Sequence, residues 1–186
     1  MLPISRTALL VVLGTASGAM GAPVLSTVPA GVDLQAISGF LRAQDRDDRS
    51  DPSARFWASA LPGTKLILVY VRSQGDCGTG GCTLLVLRLN GASFRVESWF
   101  PATLLPVTLL TSEHLGRPDI GIGCRCEPTK DGGWAFYQIP LRFNGWRYRR
   151  VINVHLANEG QQARGRILIS GREAGIALGQ ERRDPR

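Results

Sequence analysis

Four cysteines are the residues of this sequence whose type and spacing most clearly suggest chemistry. Cys77 and Cys82 enclose residues 78–81 in the stretch "GDCGTGGCTLLVL", where glycines give a short loop the freedom to bring two sulfurs together. The C-x4-C spacing is not the C-x2-C of thioredoxin-like redox sites, and no Lys-Ser/Thr follows the glycines as in a phosphate-binding loop. We predict a structural disulfide between two strands, with fixing of strand register as its main effect.

Cys124 and Cys126, in "GCRCEP", leave several outcomes open. If this segment is a strand, the two side chains point to opposite faces. A bond between them, cross-pairing with Cys77 and Cys82, and a four-thiolate zinc site all compete. We predict a structural bridge because export disfavours free thiols. A thiol-redox or zinc protein using Cys124 and Cys126 is an alternative.

The histidines and carboxylates give a weaker pattern. The chain has two histidines, His114 and His155, and a Ser–His–Asp set could be assembled from Ser112, His114 and Asp119. No G-x-S-x-G element accompanies them, and closeness in sequence does not make a triad. We therefore expect no catalytic residue, no cofactor and no metal. A small periplasmic hydrolase using His114 with Glu113 or Asp119 is the alternative.

Aromatic residues and arginines cluster in "FNGWRYRR". Strand alternation predicts Trp146, Tyr148 and Arg150 on one face of a hairpin, with Arg147 and Arg149 on the other. Such a hairpin either covers a core or offers a basic, aromatic stripe to an anionic partner. The net charge of +7 favours anionic partners in general. We predict that these five residues form a binding surface for an envelope protein or an anionic polymer, and not for nucleic acid.

The N-terminal stretch "MLPISRTALLVVLGTASGAMGAPV" has the order of a secretory signal peptide. A short start with Arg6 precedes an apolar core and then small residues. The apolar core is too short for a membrane span, so we expect none after cleavage near Ala19 or Gly21. The sequence thus predicts a periplasmic or secreted protein, in which disulfides persist.

Short strands are the elements that must position these residues. We predict a signal peptide over 1–21, a helical and loop segment over 22–62, an antiparallel β domain over 63–178 and a disordered tail over 179–186. The predicted fold class is mainly β (α+β), a sandwich-like antiparallel sheet with a short N-terminal helix. One domain suits a chain of 186 residues.

Local signals support this division. Asp33 is the predicted N-cap of a helix in "DLQAISGFLRAQ", and "SARFWASAL" is predicted as one or two further helical turns. Asn90-Gly91 predicts a hairpin with a type I′ turn, and Asn144-Gly145 predicts a second hairpin. Segments of strand length and composition are "TKLILVYV", "CTLLVLRL", "SFRVESWF", "PVTLLT", "DIGIGC", "WAFYQI", "VINVHL" and "RILIS".

The order of motifs resembles a group of small exported bacterial proteins with a Cys-Gly-x-Gly-Gly-Cys loop. The resemblance is carried by "KLILVYVRSQGDCGTGGCTLLVLRLNGASFRVES", "LLPVTLLTS", "LGRPDIGIG" and "YQIPLRFNGWRYRR", within residues 54–150. It implies a fold and an exported location but no activity, and Cys124 and Cys126 depart from the group's pattern. "DIGI" and "FNG" are also similar to FG-GAP repeats, yet "SALPGTKLILV" lacks the carboxylates of their calcium loop. We predict a non-enzymatic binding or interaction module stabilised by disulfides.

Overall fold

A computed structural model describes residues 32–44, 51–152, 154, 156–158 and 165–178. The predicted signal peptide, the predicted tail and His155 lie outside the described residues. So do the side chains of Cys126 and Glu127.

The described part of the chain contains one helix and ten strands. The helix is α1 (Leu34–Gln44), and the strands are β1 (Arg55–Leu61), β2 (Leu66–Arg72), β3 (Cys82–Asn90), β4 (Ser93–His114), β5 (Arg117–Pro128), β6 (Trp134–Phe143), β7 (Tyr148–Arg150), β8 (Ala157–Asn158), β9 (Gly165–Ile169) and β10 (Ile176–Ala177). All the strand pairs are antiparallel. The predicted mainly β fold with a short helix is therefore confirmed. The helix, with 11 residues, is not long and apolar enough to cross a membrane, and no other helix is described.

Strand β4 connects two halves of the sheet. The strand order is β10-β1-β2-β3-β4-β5-β6-β7, with β8 beside β6 and β9 beside β4. The first part of β4, up to Thr103, pairs with β3, and the part from Leu104 onward pairs with β5 and β9. Just before this change of partner, Ala102 has a φ of 54°, a conformation that redirects a strand. The halves that meet at this bend share one core.

Two cores lie on opposite sides of the first half of the sheet. The inner core joins Leu68 and Val86 of the first half to Ile122 and Leu141 of the second. The outer core lies under α1, where Ile37 packs among residues of β1, β2 and β3. Apolar groups cover both faces of β2. Its residues 66–71 are therefore an unbroken apolar run, all of them buried, without the alternation of a strand that has one face in solvent.

The start of the helix is capped as predicted. The carboxylate oxygen Oδ1 of Asp33 accepts hydrogen bonds from the backbone N–H groups of Gln35 and Ala36, at 2.9 and 3.0 Å. These N–H groups have no partner within the helix. The predicted N-cap is confirmed.

Both predicted hairpins form, but the first turn is displaced by one residue. Asn90 pairs with Ser93, so the two turn residues are Gly91 and Ala92. Only Gly91 of these two has a positive φ, 62°, which fits a type II′ turn rather than the predicted type I′. In the second hairpin, Asn144 Oδ1 accepts hydrogen bonds from two N–H groups of the turn, at 2.9 and 3.2 Å.

The helical prediction for "SARFWASAL" is wrong. Residues 55–61 form β1, which pairs with β2 from Arg55↔Arg72 to Leu61↔Leu66. Phe56 enters the outer core, while Trp57 and Leu61 pack against the inner core. A segment between two apolar layers needs side chains on alternate faces, which the strand period provides. The sheet therefore begins before residue 63.

The strand prediction for "VINVHL" is also wrong in its described residues. The Val151 N–H donates to the Pro140 carbonyl at 2.9 Å, and the Leu156 N–H donates to the Gln138 carbonyl at 2.6 Å. Between these two bonds the segment advances by five residues, from 151 to 156, whereas β6 advances by only two, from 138 to 140. Regular pairing with β6 is therefore not maintained. None of the described residues from 151 to 156 belongs to a strand.

Candidate binding surface

The first cysteine pair forms the predicted disulfide. Cys77 and Cys82 are joined with an S–S distance of 2.06 Å, and Gly78 and Gly81 exchange backbone hydrogen bonds of 2.9 and 3.0 Å inside the loop. Cys124 is also disulfide-bonded and almost fully buried. None of these three sulfurs is a free thiol. The described residues contain no group of three or more His, Cys, Asp or Glu that could hold a metal.

The candidate acid–base residues are only partly brought together. The Ser112 hydroxyl donates directly to Asp119 Oδ2 at 2.9 Å, and Arg142 Nε donates to the same oxygen at 3.2 Å. Glu113 and His114 are exposed at the end of β4. Among the described contacts His114 has no hydrogen bond to Ser112 or Asp119, so serine and aspartate meet without a base between them.

A second buried carboxylate, that of Glu97, connects three neighbouring strands. Glu97 on β4 accepts from Arg88 Nε of β3 at 2.7 Å and from Arg117 Nη1 of β5 at 2.6 Å. Its side chain is 3% exposed, and the arginines are partly exposed. The Arg117 guanidinium also lies 3.5 Å from the ring centroid of Phe143. This cluster connects the two halves of the sheet at their hairpin ends.

The aromatic residues of the last hairpin lie in different environments. Tyr148 is buried in the inner core, whereas Trp146 is 72% exposed. The predicted alternation does not hold because β7 begins at Tyr148, which leaves Trp146 in the turn. The Tyr148 hydroxyl donates a hydrogen bond to the Pro118 carbonyl at 2.9 Å. The backbone N–H of Tyr148 donates to Ser98 Oγ, also at 2.9 Å. Tyr148 therefore fixes the hairpin and does not belong to its surface.

The three arginines of the hairpin differ as well. Arg150 Nη2 donates to the carbonyls of Pro101 and Ala102 at the bend of β4, and burial lowers the pKa of its guanidinium. Arg147 is half-buried, with its guanidinium carbon 5.2 Å from the ring centroid of Trp146. Arg149 is exposed. Arg150 thus has a structural role, while Arg147 and Arg149 remain at the surface.

A fourth arginine, which the sequence analysis missed, lies beside Arg149. Arg142 and Arg149 are direct cross-strand partners, so their side chains share one face of the sheet. Counting back from the Asn144-Gly145 turn could have identified this pair. Asp119, bonded to Arg142, is fully buried. We define the hairpin surface as Arg142, Trp146, Arg147 and Arg149.

The buried tyrosines Tyr70 and Tyr148 should resist ionisation. Burial raises the pKa of Tyr148 and that of Tyr70. A raised pKa in the folded state means that stability is fully present below the unfolded-state pKa of about 10 and is lost as pH rises through the folded-state value. We expect each group to lower the free energy of unfolding by at most about 1.4 kcal/mol per pH unit within that window.

Urea unfolding between pH 9 and 12, with phenolate absorbance recorded at 295 nm, measures this effect. Above the unfolded-state pKa, the free energy of unfolding should fall less steeply with pH in Tyr148→Phe, because the contribution of one tyrosine is removed. An unchanged slope in Tyr148→Phe would show that the hydroxyl ionises normally in the folded protein.

Comparison with known proteins finds no matching protein-family model, no similar curated protein and no similar solved structure.

Proposed function

We propose that the chain is a non-enzymatic binding module, periplasmic or secreted and stabilised by disulfides, whose hairpin surface binds a phosphate-bearing anionic component of the cell envelope. The observation that carries this proposal is the direct pairing of Arg142 with Arg149 across β6 and β7. Like charges directly opposite each other on a sheet are destabilising. A bound anion would relieve that repulsion.

The local balance of charge supports the same partner. Asp119 lies on one side of Arg142 and balances one guanidinium, and no ion pair of Arg149 is found among the described residues. Arg147 adds a third guanidinium beside the exposed ring of Trp146. Planar guanidinium groups suit phosphate oxygens because they can donate two parallel hydrogen bonds.

The hydrogen bonds of the two buried acids give them a structural role. Glu97 accepts hydrogen bonds from two arginines, and Asp119 accepts from Ser112 and Arg142. Groups engaged in this way hold strands together. The exported location remains part of the proposal, supported by the order of residues at the N-terminus and by the disulfide between Cys77 and Cys82.

Soluble polyphosphate is the probe that tests this function. Arg149→Ala should weaken binding at low salt about 5-fold, since an exposed ion pair contributes up to about 1 kcal/mol. The slope of log affinity against log salt should fall by about 1, since one fewer counterion is displaced. Binding is measured by titration calorimetry at several salt concentrations.

Arg42→Ala is the matched control because Arg42 is also exposed but lies on α1, over the outer core of the first half of the sheet, and has no arginine paired across a strand. It removes the same charge from the whole protein and should leave most of the affinity and the salt slope unchanged. Equal losses in the two variants would mean that net charge, and not the hairpin surface, attracts the polyanion.

A further inference from the structure

The turn between β4 and β5 exposes an apolar residue in an unfavourable conformation. Leu115 and Gly116 separate the paired residues His114 and Arg117, with φ values of 51° and 72°. Two positive φ values characterise a type I′ turn, which favours asparagine, aspartate or glycine. Leucine is strained there and, at 66% exposed, gains little from burial. Neither turn geometry nor packing accounts for a leucine at this position.

A second exposed apolar residue lies on the neighbouring turn. Trp146 follows Gly145 in the turn between β6 and β7, and a Cβ built on Gly145 would lie 3.8 Å from Leu115 Cδ1. The two turns are therefore neighbours, with the Leu115 side chain near the backbone of Gly145. We call Leu115 and Trp146 the tip pair.

Arginines follow both residues of the tip pair closely in the sequence. Arg147 directly follows Trp146, and Arg149 comes two residues later. Arg117, two residues after Leu115, is already paired with Glu97. The exposed carboxylate nearest to the tip pair in sequence is Glu113, while Glu97 and Asp119 are buried in ion pairs. The end of the sheet thus presents two apolar side chains, with guanidinium groups set back along the strands.

We propose that this end of the protein docks on an anionic phospholipid bilayer, with the tip pair entering the interface and the arginines contacting lipid phosphates. The inference rests on the proposed function and names the source of the phosphates. Apolar side chains at the ends of projecting turns can insert into a fluid bilayer, and such insertion does not require a complementary binding pocket. Tryptophan is enriched at the bilayer interface, where arginine can keep its charged head at the phosphate level. Anionic headgroups supply the complementary charge.

Co-sedimentation of the full chain with vesicles tests the inference. We expect binding to vesicles of phosphatidylglycerol and phosphatidylcholine, and much weaker binding to phosphatidylcholine alone. Leu115→Asn and Trp146→Ala should each weaken binding to the anionic vesicles about 10-fold, the effect of losing one buried apolar side chain. Binding of soluble polyphosphate should change little in Leu115→Asn, which removes no charge and suits the turn.

Trp134→Ala is the control for loss of an exposed tryptophan. Trp134 is 62% exposed but lies at the opposite end of β6 from the last hairpin, so vesicle binding should be retained. Melting temperatures measured for every variant separate loss of folding from loss of binding.

The outcomes distinguish the two proposals. Polyphosphate binding that depends on Arg149, without binding to anionic vesicles, overturns bilayer docking and leaves the proposed function standing. Vesicle binding that is unaffected when Leu115→Asn and Trp146→Ala are combined also overturns it. Failure of the wild-type chain to bind either probe overturns both proposals.

Discussion

The substitution Gly81→Ala is expected to lower the free energy of unfolding by about 3 kcal/mol, among the largest effects of any single methyl group in this chain. Gly81 has a φ of 109°, which an L-residue with a side chain rarely adopts. A Cβ at this position would lie 2.1 Å from the Thr103 carbonyl oxygen. That oxygen accepts a hydrogen bond from the buried Tyr70 hydroxyl at 3.2 Å. Relief of the clash therefore disturbs both the disulfide loop and the bend of β4.

Thermal unfolding followed by circular dichroism measures the effect of Gly81→Ala. A loss of this size should lower the melting temperature by about 6–12 °C in a protein of this length. Gly78→Ala is the matched control in the same loop, since no atom lies within 4 Å of a Cβ there and no positive φ is found. Thiol titration verifies that both variants keep the Cys77–Cys82 bond. Equal melting temperatures would show that the close approach to Thr103 is not important for stability.

Glu97→Gln is expected to destabilise the protein by about 2–3 kcal/mol. The substitution retains the shape of the side chain but removes the charge that faces Arg88 and Arg117. Removing one member of a buried ion pair leaves its partners without compensation, which costs more than the pair itself contributed. Partial exposure of the two arginines places the loss below that of a fully buried pair.

Urea denaturation at neutral pH measures the effect of Glu97→Gln. Glu113→Gln provides the comparison, because Glu113 is an exposed carboxylate near the end of the same strand and should change stability by no more than about 0.5 kcal/mol. If Glu97→Gln and Glu113→Gln have equal effects, the cluster of Arg88, Glu97 and Arg117 does not hold the two halves of the sheet together.

Local signals in the sequence determined the elements that depend on a few neighbouring residues. The Asp33 cap forms because a carboxylate meets the first free N–H groups of the helix. The hairpins form because glycine accepts a positive φ at their turns. The Cys77–Cys82 disulfide closes because its ends are only five positions apart. Each depends on residues close together in the chain, so residue type and spacing were sufficient to predict that it forms, although not the position and type of the first hairpin turn.

Contacts between distant strands determined the rest. The segment at 55–61 is a strand because two apolar layers enclose it, although its residues also suit a helix. Tyr148 is buried and Trp146 exposed because β7 begins between them. The pairing of Arg142 with Arg149 was identified from the register between β6 and β7.

The bend of β4 explains most of what the sequence alone did not reveal. It brings Glu97 against Arg117, twenty positions away, and stacks the two halves of the sheet around one core. Periodicity specifies which face of a strand is apolar but not which distant strand will cover it. The sequence by itself therefore determined the helix, most of the strands and the first disulfide. Only the tertiary structure decided which charges are buried in pairs and which side chains project from the hairpin ends.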